Sequence, residues 1–404
     1  MTTDCDNSDT RDTQERSVLL AMSWYDHRVH RGISRYAQGR SWRVDARMAN
    51  STELAWGWQG DGVIAKLGCS TLDESLRDFI LGLGCPTIDL SVFGPEQGLH
   101  SLEFDPDAIG TLAVDHFLER GFRRFAWYPD LDLPPIAIRR TGFEHAAARE
   151  GATVHALKPI AETGTKNNRA WAEAERALGE QLAALELPIA VMAFNDEWGA
   201  QIIRACERVG LRVPEQVAVL GVDDNELVCE HLSVPLSSVA LDLERWGELA
   251  AQRLGELMDT HPTERAHKQP TMQLVQPRGV VARRSTDVLA VAHPDVAHAA
   301  KYIAEHFREN IGVEDVIAHG RMSGSGLKRA FRTHLRRSIS EEIQRVRLEA
   351  TRRLLTQTDW TLDRIADEVG LGSARSLHRL FARAETESPT EFRQRRNGER
   401  GTNT

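Results

Sequence analysis

A change of pattern near residue 290 constrains the fold of this 404-residue chain more than any other feature. Before it, short apolar runs alternate with stretches of helical period. From about 293 to 396 the chain is helical and has no convincing strand. Continuous apolar strands that alternate with helices of about 10 to 15 residues are typical of βαβ units in parallel sheets. The sequence therefore predicts an α/β domain followed by an all-α domain.

The α/β part has more strands than one small sheet holds. Strands are predicted at 18–24, 43–49, 61–67, 86–91, 100–105, 123–128, 153–159, 188–194, 217–224 and 237–242. Helices are predicted near 29–39, 72–83, 106–120, 139–150, 168–185, 197–209 and 243–259. We therefore expect two doubly wound lobes. A ligand of such sheets binds in the crevice at the carboxyl ends of the strands.

Composition and charge narrow the class of protein. The polar first sixteen residues lack the pattern of a signal peptide, and no run approaches the ~20 apolar residues of a membrane span. Five scattered cysteines without a C-x-x-C pair fit a reducing compartment. We expect a cytoplasmic protein without a membrane partner. Residues 1–292 carry a net charge of −13 and residues 293–404 carry +4, which indicates that only the second part meets a polyanion.

The first half of the helical part predicts a helix-turn-helix unit. A helix over 313–319 ends at Gly320, and Ser323 is placed to cap a second helix. In that second helix Leu327 and Phe331 share the buried face. The outward positions, our candidates for DNA contact, are Ser325, Lys328, Arg329 and Arg332.

The same pattern recurs about fifty residues later. A helix begins at Thr361, Gly370 breaks it, and Ser373 opens a second helix. The inward positions are Leu377, Leu380 and Phe381, and the candidates for DNA contact are Ser373, Arg375, Ser376, Arg379 and Arg383. The second helix of such a unit fits a major groove ~12 Å wide. A single match could be an ordinary α–α corner, but two matches joined by one helix (339–355) are far more specific.

The segments EIQRVRLEATRRLL, TDWTLDRIADEVG, SARSLHRLF and SPTEFRQRR resemble the AraC-type DNA-binding domain. That resemblance implies two helix-turn-helix units in adjacent major-groove segments of double-stranded operator DNA, with RNA polymerase as a further partner. Gly324 and Gly326 stand where the family usually has larger residues, and Leu371 and Ser376 replace common aromatics. These departures predict fewer base contacts from the first unit.

The α/β part resembles the periplasmic-binding-protein-like sensor of LacI/GalR regulators. The motifs are GDGVIA (60–65), R-x-x-GF (139–143), AFNDEWGAQIIRACERVGLRVPEQVAVLGVDDNEL (193–227) and PLSSVALD (235–242). The resemblance implies a sugar effector, and among sugars it favours a pentose, with xylose as the first choice. It also implies a homodimer and activation of transcription. The chain then divides into a disordered tail (1–16), a sugar-sensing domain (17–285), a linker (286–292), an AraC-type DNA-binding domain (293–397) and a second tail (398–404).

Candidate effector ligands follow from the chemistry of sugars, which pair with carboxylates and with the fixed fork of arginine. The candidates are Asp26, Arg28, Arg139, Asn195, Asp196 and Asp223. Asn195 and Asp223 are predicted at strand ends, and Arg139, expected to begin a helix, matches the sugar-binding arginine of the resembling family. Trp24 or Trp198 could provide an apolar face. The alternatives are helix caps for the acids and core packing for the tryptophans.

Two other classes of protein fit less well. An enzyme would need a G-x-S-x-G elbow, a phosphate loop or a metal-spaced His/Asp set, and none is present. Asp223 and Asp224, adjacent in a predicted strand, would face opposite ways. We therefore expect no catalytic residues, no metal and no cofactor. A solute-binding protein would need an export signal. The identity of the sugar, the operator, and activation against repression stay open.

Overall fold

Two α/β lobes and a helical domain make up the structure, a computed structural model. It describes residues 15–49, 53–68, 71–159, 168–267, 269–287, 293–335, 337–384 and 388–398. Residues 1–14, 288–292 and 399–404, which hold most of the two predicted tails and of the predicted linker, lie outside these ranges. The architecture confirms the predicted fold class.

The first lobe, called the N-lobe, is built on a parallel sheet of order β11-β5-β4-β3-β1-β2. Its strands are β1 (Arg16–Met22), β2 (Trp42–Met48), β3 (Gly62–Lys66), β4 (Thr87–Asp89), β5 (His100–Phe104) and β11 (Met272–Val275). Its helices are α1 (His27–Gln38), α2 (Thr71–Leu83), α8 (Leu243–Asp259) and α9 (Pro262–His267). Strands β1 and β3 are almost wholly buried because helices cover both faces of the sheet.

The second lobe, called the C-lobe, has the sheet order β12-β10-β9-β8-β6-β7, with β12 antiparallel to β10. Its strands are β6 (Phe125–Tyr128), β7 (Val154–Ala156), β8 (Ile189–Ala193), β9 (Val217–Val222), β10 (Ser237–Ala240) and β12 (Gly279–Val281). Its helices are α3 (Pro106–Glu119), α4 (Pro134–Arg149), α5 (Asn168–Ala183), α6 (Asp196–Val209) and α7 (Glu226–Cys229). All ten predicted strands are present; β11 and β12 were not predicted.

Three crossovers join the lobes, and hydrogen bonds tie them together. Asp105 ends the first crossover and caps α3 by accepting from the backbone N–H groups of Asp107 and Ala108. Its other oxygen accepts from Gln276 in the third crossover (2.9 Å). Arg278, also in the third crossover, forms an ion pair with Asp242 of the second (2.6 Å). The three crossover segments between the lobes are therefore linked to one another by side-chain contacts.

The helical domain contains α10 (Pro294–His306), α11 (Val313–His319), α12 (Gly324–Leu335), α13 (Ile339–Gln357), α14 (Leu362–Glu368), α15 (Ala374–Phe381) and α16 (Pro389–Gly398). Helix α13 opens with a capping box between Ser338 and Glu341. Its first half, through Ile343, packs into the core of the first helix-turn-helix unit. Its second half, through Leu355, packs into the core of the second unit. One helix therefore sets the relative orientation of both units.

The turn of the second unit depends on Gly370. Its φ of +72° lies in the left-handed region, and an added Cβ would approach the carbonyl oxygen of Phe307 to 2.5 Å. Arg347 of α13 donates to that same carbonyl oxygen (3.0 Å) and to the carbonyl oxygen of Glu309 (2.8 Å). The turn of the second unit thus lies directly against the backbone of residues 307–309, where only glycine fits.

Candidate functional site

An acid–arginine pair follows β1 at the edge of the N-lobe. Asp26 caps α1 by accepting from the backbone N–H of Arg28 (2.7 Å), and its other carboxylate oxygen accepts from the guanidinium of Arg28 (2.9 Å). Burial works against the ionised form of Asp26, but Arg28 outweighs it and holds the pKa of Asp26 below its ordinary value. The carboxylate is therefore charged and fixed in position.

Arg28 crosses the crevice between the lobes. Its Nη1 donates to the carbonyl oxygens of Asp223 (2.9 Å) and Asp224 (3.2 Å) in the C-lobe. These bonds join the two lobes through one side chain. The structure thus shows the lobes in contact where the N-lobe candidates Asp26 and Arg28 meet the C-lobe candidate Asp223.

The loop after β9 differs from the prediction. The predicted strand over 217–224 ends at Val222, and Asp223 (φ 102°) and Asp224 (φ 50°) both have positive φ. The expectation that the two acids alternate in a strand was wrong, because the chain turns sharply there. Such strained backbone persists only where its surroundings enforce it.

Asp196 supplies part of that enforcement. Its side chain is fully buried and accepts from the hydroxyl of Ser238 (2.6 Å) and from the backbone N–H of Asn225 (2.7 Å). Gly221 leaves room for it, since a Cβ there would lie 2.2 Å from an Asp196 oxygen. Of the six candidates, Asp196 is the one that the structure places behind the loop, where it supports Asp223.

Asp223 lies between charges of both signs. Burial raises its pKa to about 7, although the positive charges of Arg139 and Arg28 oppose the shift. Glu197 and Asp26 raise it further. The carboxyl group therefore changes charge near neutral pH, at the surface where the lobes meet.

Arg139 and Asn195 line the same edge of the C-lobe. Arg139 lies in the second turn of α4, which begins at Pro134, so the expectation that it begins the helix was wrong. Its Nη1 donates to the carbonyl oxygen of Phe194 (2.6 Å), and its guanidinium carbon lies 4.6 Å from the Phe194 ring centroid. Asn195 caps α6 by accepting from the backbone N–H of Trp198 (3.1 Å). The helix cap that was the alternative for the acidic candidates is present at Asp26, and Asn195 forms a cap as well.

The two tryptophans proposed as sugar platforms differ. Trp198 is half-buried and packs edge-on against Tyr128, with ring centroids 5.3 Å apart, inside the C-lobe core. Trp24 follows β1 and is 41% exposed. Of the two, Trp24 has the accessible ring.

Sequence reasoning missed three polar or aromatic side chains of the N-lobe: Lys66, Asp89 and Trp246. Lys66 ends β3, and its Nζ lies 5.1 Å from the Trp246 ring centroid and 5.9 Å from that of Trp24. Asp89 ends β4, and burial raises its pKa to about 6. The indole Nε1 of Trp246 is buried and has no hydrogen-bond partner among the described residues. The strand-end rule that selected Asn195 and Asp223 would also have selected Lys66 and Asp89.

The helical domain exposes most of the predicted DNA-contacting side chains. On α12 all four candidates are exposed: Ser325, Lys328, Arg329 and Arg332. On α15 and just after it, Arg375, Arg379 and Arg383 are exposed. Ser373 and Ser376 are half-buried, and the Ser373 hydroxyl caps α15 by accepting from the Ser376 N–H. The arginines therefore form the accessible basic face of the second unit.

The glycines at the start of α12 have a packing reason. A Cβ on Gly324 would lie 3.0 Å from Ile317 of α11. A Cβ on Gly326 would lie 3.0 Å from both Met322 and Ser323. A larger residue at either position would therefore require neighbouring side chains of the turn to shift.

Two family models match the chain. A periplasmic binding protein-like domain matches residues 114–286, and a helix-turn-helix domain matches residues 318–395. A xylose operon regulatory protein of Escherichia coli (strain K12) is 29% identical over 396 residues, which cover 94% of this chain and 97% of that protein. A protein of the same name from Haemophilus influenzae is 26% identical and covers 91% and 95%.

A solved structure described as a xylose-binding transcription activator matches with a TM-score of 0.59 and 26% identity. The match covers 95% of this chain and 98% of that one. The alignment spans both the sensor and the helix-turn-helix units. The chain is a DNA-binding transcription regulator that combines a periplasmic-binding-protein-like sensor with a helix-turn-helix domain. No helix among the described residues of the regulator is long and apolar enough to cross a membrane.

Proposed function

We propose that the regulator binds a sugar between its lobes, with a pentose favoured and xylose first, and that binding controls its action on DNA as an activator in the cytoplasm. The observation that carries this proposal is the bridge from Asp26 through Arg28 to the loop of Asp223. Carboxylate and guanidinium groups from both lobes meet there, as recognition of a polyhydroxylated ligand requires. The names of the full-length relatives support the choice of sugar.

The proposed contacts divide between the lobes. Asp26 and Arg28 act from the N-lobe, and Arg139, Asn195 and Asp223 act from the C-lobe. Asp196 supports the loop of Asp223 and makes no contact of its own with the sugar. A ligand held by both lobes favours the closed arrangement only by its difference in affinity for closed and open states.

The DNA-binding part of the proposal places α12 and α15 in successive major-groove segments. Helix α13, which joins the units, is about 28 Å long at 1.5 Å per residue. That length is comparable with the ~34 Å repeat of B-DNA. In a homodimer, two such domains would contact paired half-sites beside RNA polymerase.

Thermal unfolding of the purified regulator against pentoses, hexoses and sugar acids tests the sugar assignment. A sugar at 100 times its Kd stabilises the native state by about 2.7 kcal/mol, which raises the Tm measurably. We expect D-xylose to raise the Tm, and Asp223→Ala to abolish the rise. The matched control is Asp259→Ala at the far end of α8, where the aspartate pairs with Arg16 (2.6 Å). If no sugar raises the Tm of the wild type, the sugar assignment is wrong.

A further inference from the structure

A group of paired charges joins the C-lobe to the DNA-binding domain. Arg120, which follows α3, forms an ion pair with Glu349 of α13. Glu349 also pairs with Arg345 (2.7 Å), and Arg345 pairs with Glu342 (2.8 Å). Arg337 pairs with the other oxygen of Glu342 (2.7 Å). We call these five residues the α3–α13 ion-pair cluster.

The cluster is enclosed, which makes its geometry demanding. Glu342 is 0% exposed and Arg120 is 3% exposed. Burial alone would raise the pKa of Glu349, but the positive charges of Arg120 and Arg345 lower it to about 2. A buried charge is tolerated only while its partners remain in place. The signs alternate along the cluster, so loss of one member removes an ion pair from each neighbour that it contacts.

The helix that carries Glu349 is the one that joins the two helix-turn-helix units. Ile339 and Ile343 of α13 lie in the core of the first unit, and Leu355 lies in the core of the second. The α3–α13 ion-pair cluster therefore holds both recognition helices in one orientation relative to the sensor.

A chain of polar contacts leads from the crevice toward this cluster. Asp224, whose carbonyl oxygen accepts from Arg28, forms an ion pair with Arg283 (2.8 Å). The carbonyl oxygen of Arg283 accepts from the hydroxyl of Ser237 (2.9 Å), which is 2.7 Å from the hydroxyl of Thr286. Residues 283–286, at the end of the sensor, are thus fixed to the C-lobe beside the loop of Asp223 and Asp224.

The chain of contacts continues through α3. The hydroxyl of Thr286 lies 2.8 Å from Nε2 of His116, which is buried. Arg120 donates to the backbone carbonyl of His116 (3.1 Å) and reaches Glu349 with its other nitrogen. These contacts therefore link the loop of Asp223 and Asp224, the segment 283–286 at the end of the sensor, and the α3–α13 ion-pair cluster without a break.

We propose that the α3–α13 ion-pair cluster docks the DNA-binding domain on the C-lobe and transmits the state of the effector crevice to both recognition helices. The transmitted signal rests on the proposed function, whereas the docking itself does not. A continuous chain of contacts demonstrates coupling only when both ends shift the same equilibrium. The test therefore measures the docking and the transmission separately.

Amide hydrogen exchange of the full-length chain, followed by mass spectrometry, measures the docking without a ligand. The variants are Arg120→Gln, Glu349→Gln and the double variant. The matched control is Arg124→Gln, because Arg124 forms an exposed ion pair with Glu186 on the same lobe. We expect the amides of α13 to exchange at least tenfold faster in each single variant than in the wild type. The double variant should exchange at the same rate as the single variants, and the control at the wild-type rate.

The docking is refuted if α13 exchanges at the wild-type rate in both single variants, or if the two effects simply add. Glu349→Gln keeps the test valid if Arg120→Gln fails to fold, because it leaves the sensor sequence intact. Circular dichroism of each variant identifies a folding failure.

Addition of D-xylose measures the transmission. In the wild type we expect the sugar to change exchange both in the loop of Asp223 and in α13. In Arg120→Gln and Glu349→Gln we expect the change in the loop alone, with the sugar-induced rise in Tm retained. A wild-type α13 that does not respond while the loop does would overturn the transmission. A wild type in which neither Tm nor loop responds would overturn the sugar assignment, and the ligand-free comparison would still decide the docking.

Discussion

The ionisation of Asp223 predicts how effector affinity depends on pH. We expect the sugar to bind the ionised form of Asp223, because a carboxylate accepts hydrogen bonds from hydroxyl groups more strongly than a protonated acid does. With a pKa of about 7 in the ligand-free protein, roughly one molecule in eleven carries the carboxylate at pH 6 and about nine in ten do at pH 8. The apparent Kd is therefore about tenfold weaker at pH 6, equivalent to about 1.4 kcal/mol.

Isothermal titration calorimetry of the sugar between pH 5.5 and 8.5 measures this dependence. We expect affinity to rise with pH and to level off above about pH 8. Asp223→Asn removes the titrating group and should bind more weakly with a flat profile. Asp89 is a second acid at the edge of the crevice, and its pKa is raised to about 6, so Asp89→Asn should leave the rise between pH 6.5 and 8 intact. A flat wild-type profile, or an unchanged slope in Asp223→Asn, would refute the assigned role of Asp223.

Three further predictions concern the DNA-binding domain. Gly370→Ala forces a side chain onto φ +72° and against a backbone oxygen at 2.5 Å, and should lower the free energy of unfolding by about 1–3 kcal/mol in denaturant titrations. Leu355→Ala empties a fully buried position of the second core and should cost about 2–5 kcal/mol in the same assay. Arg379→Ala should weaken DNA binding and, if it contacts a phosphate, reduce the slope of log K against log salt by about 1.

The controls for these predictions come from the same domain. Lys301→Ala changes an exposed residue of α10 that pairs with Glu305, and should alter neither the unfolding curve nor the salt slope. A Gly370→Ala protein as stable as the wild type would contradict the packing of the turn. Unchanged DNA affinity in Arg379→Ala would remove α15 from the DNA interface.

Local patterns predicted most of the fold. The apolar runs located all ten predicted strands because buried parallel strands are continuous in hydrophobicity. Ser323 accepts from the backbone N–H of Gly326 (3.3 Å) as its predicted capping role requires, and Thr361 and Ser373 cap the helices that were predicted to begin there. Strands β11 and β12 were missed because they are short and lack a buried apolar run: Met272 and Leu274 of β11 are exposed, and the β12 residues are only half-buried.

The candidate site was predicted in part. The strand-end rule found Asn195 and Asp223 but gave no sign that the chain turns to positive φ at Asp223, since that turn depends on tertiary contacts, among them the bond from Asn225 to the buried carboxylate of Asp196. Arg28 was selected as a sugar-binding arginine beside Asp26, but its reach to the opposite lobe depends on how the lobes close and had no signature in the sequence.

The contact between sensor and DNA-binding domain had no signature in the sequence. Arg120 and Glu349 are 229 residues apart, and each looks like an ordinary charged residue on a helix. Their partnership arises only from tertiary packing. Charges of this kind are usually solvated, so burial, which the sequence does not reveal, is what distinguishes this pair.

The central claim is that a sugar in the crevice controls where the regulator binds DNA. The most direct test is to capture fragments of the source genome on purified regulator with and without D-xylose, and to sequence them for the wild type and for Asp223→Ala. The account predicts a small set of sites whose occupancy changes with the sugar in the wild type and not in the variant. A set of sites that is the same with and without sugar, in a wild type whose Tm the sugar raises, would contradict it.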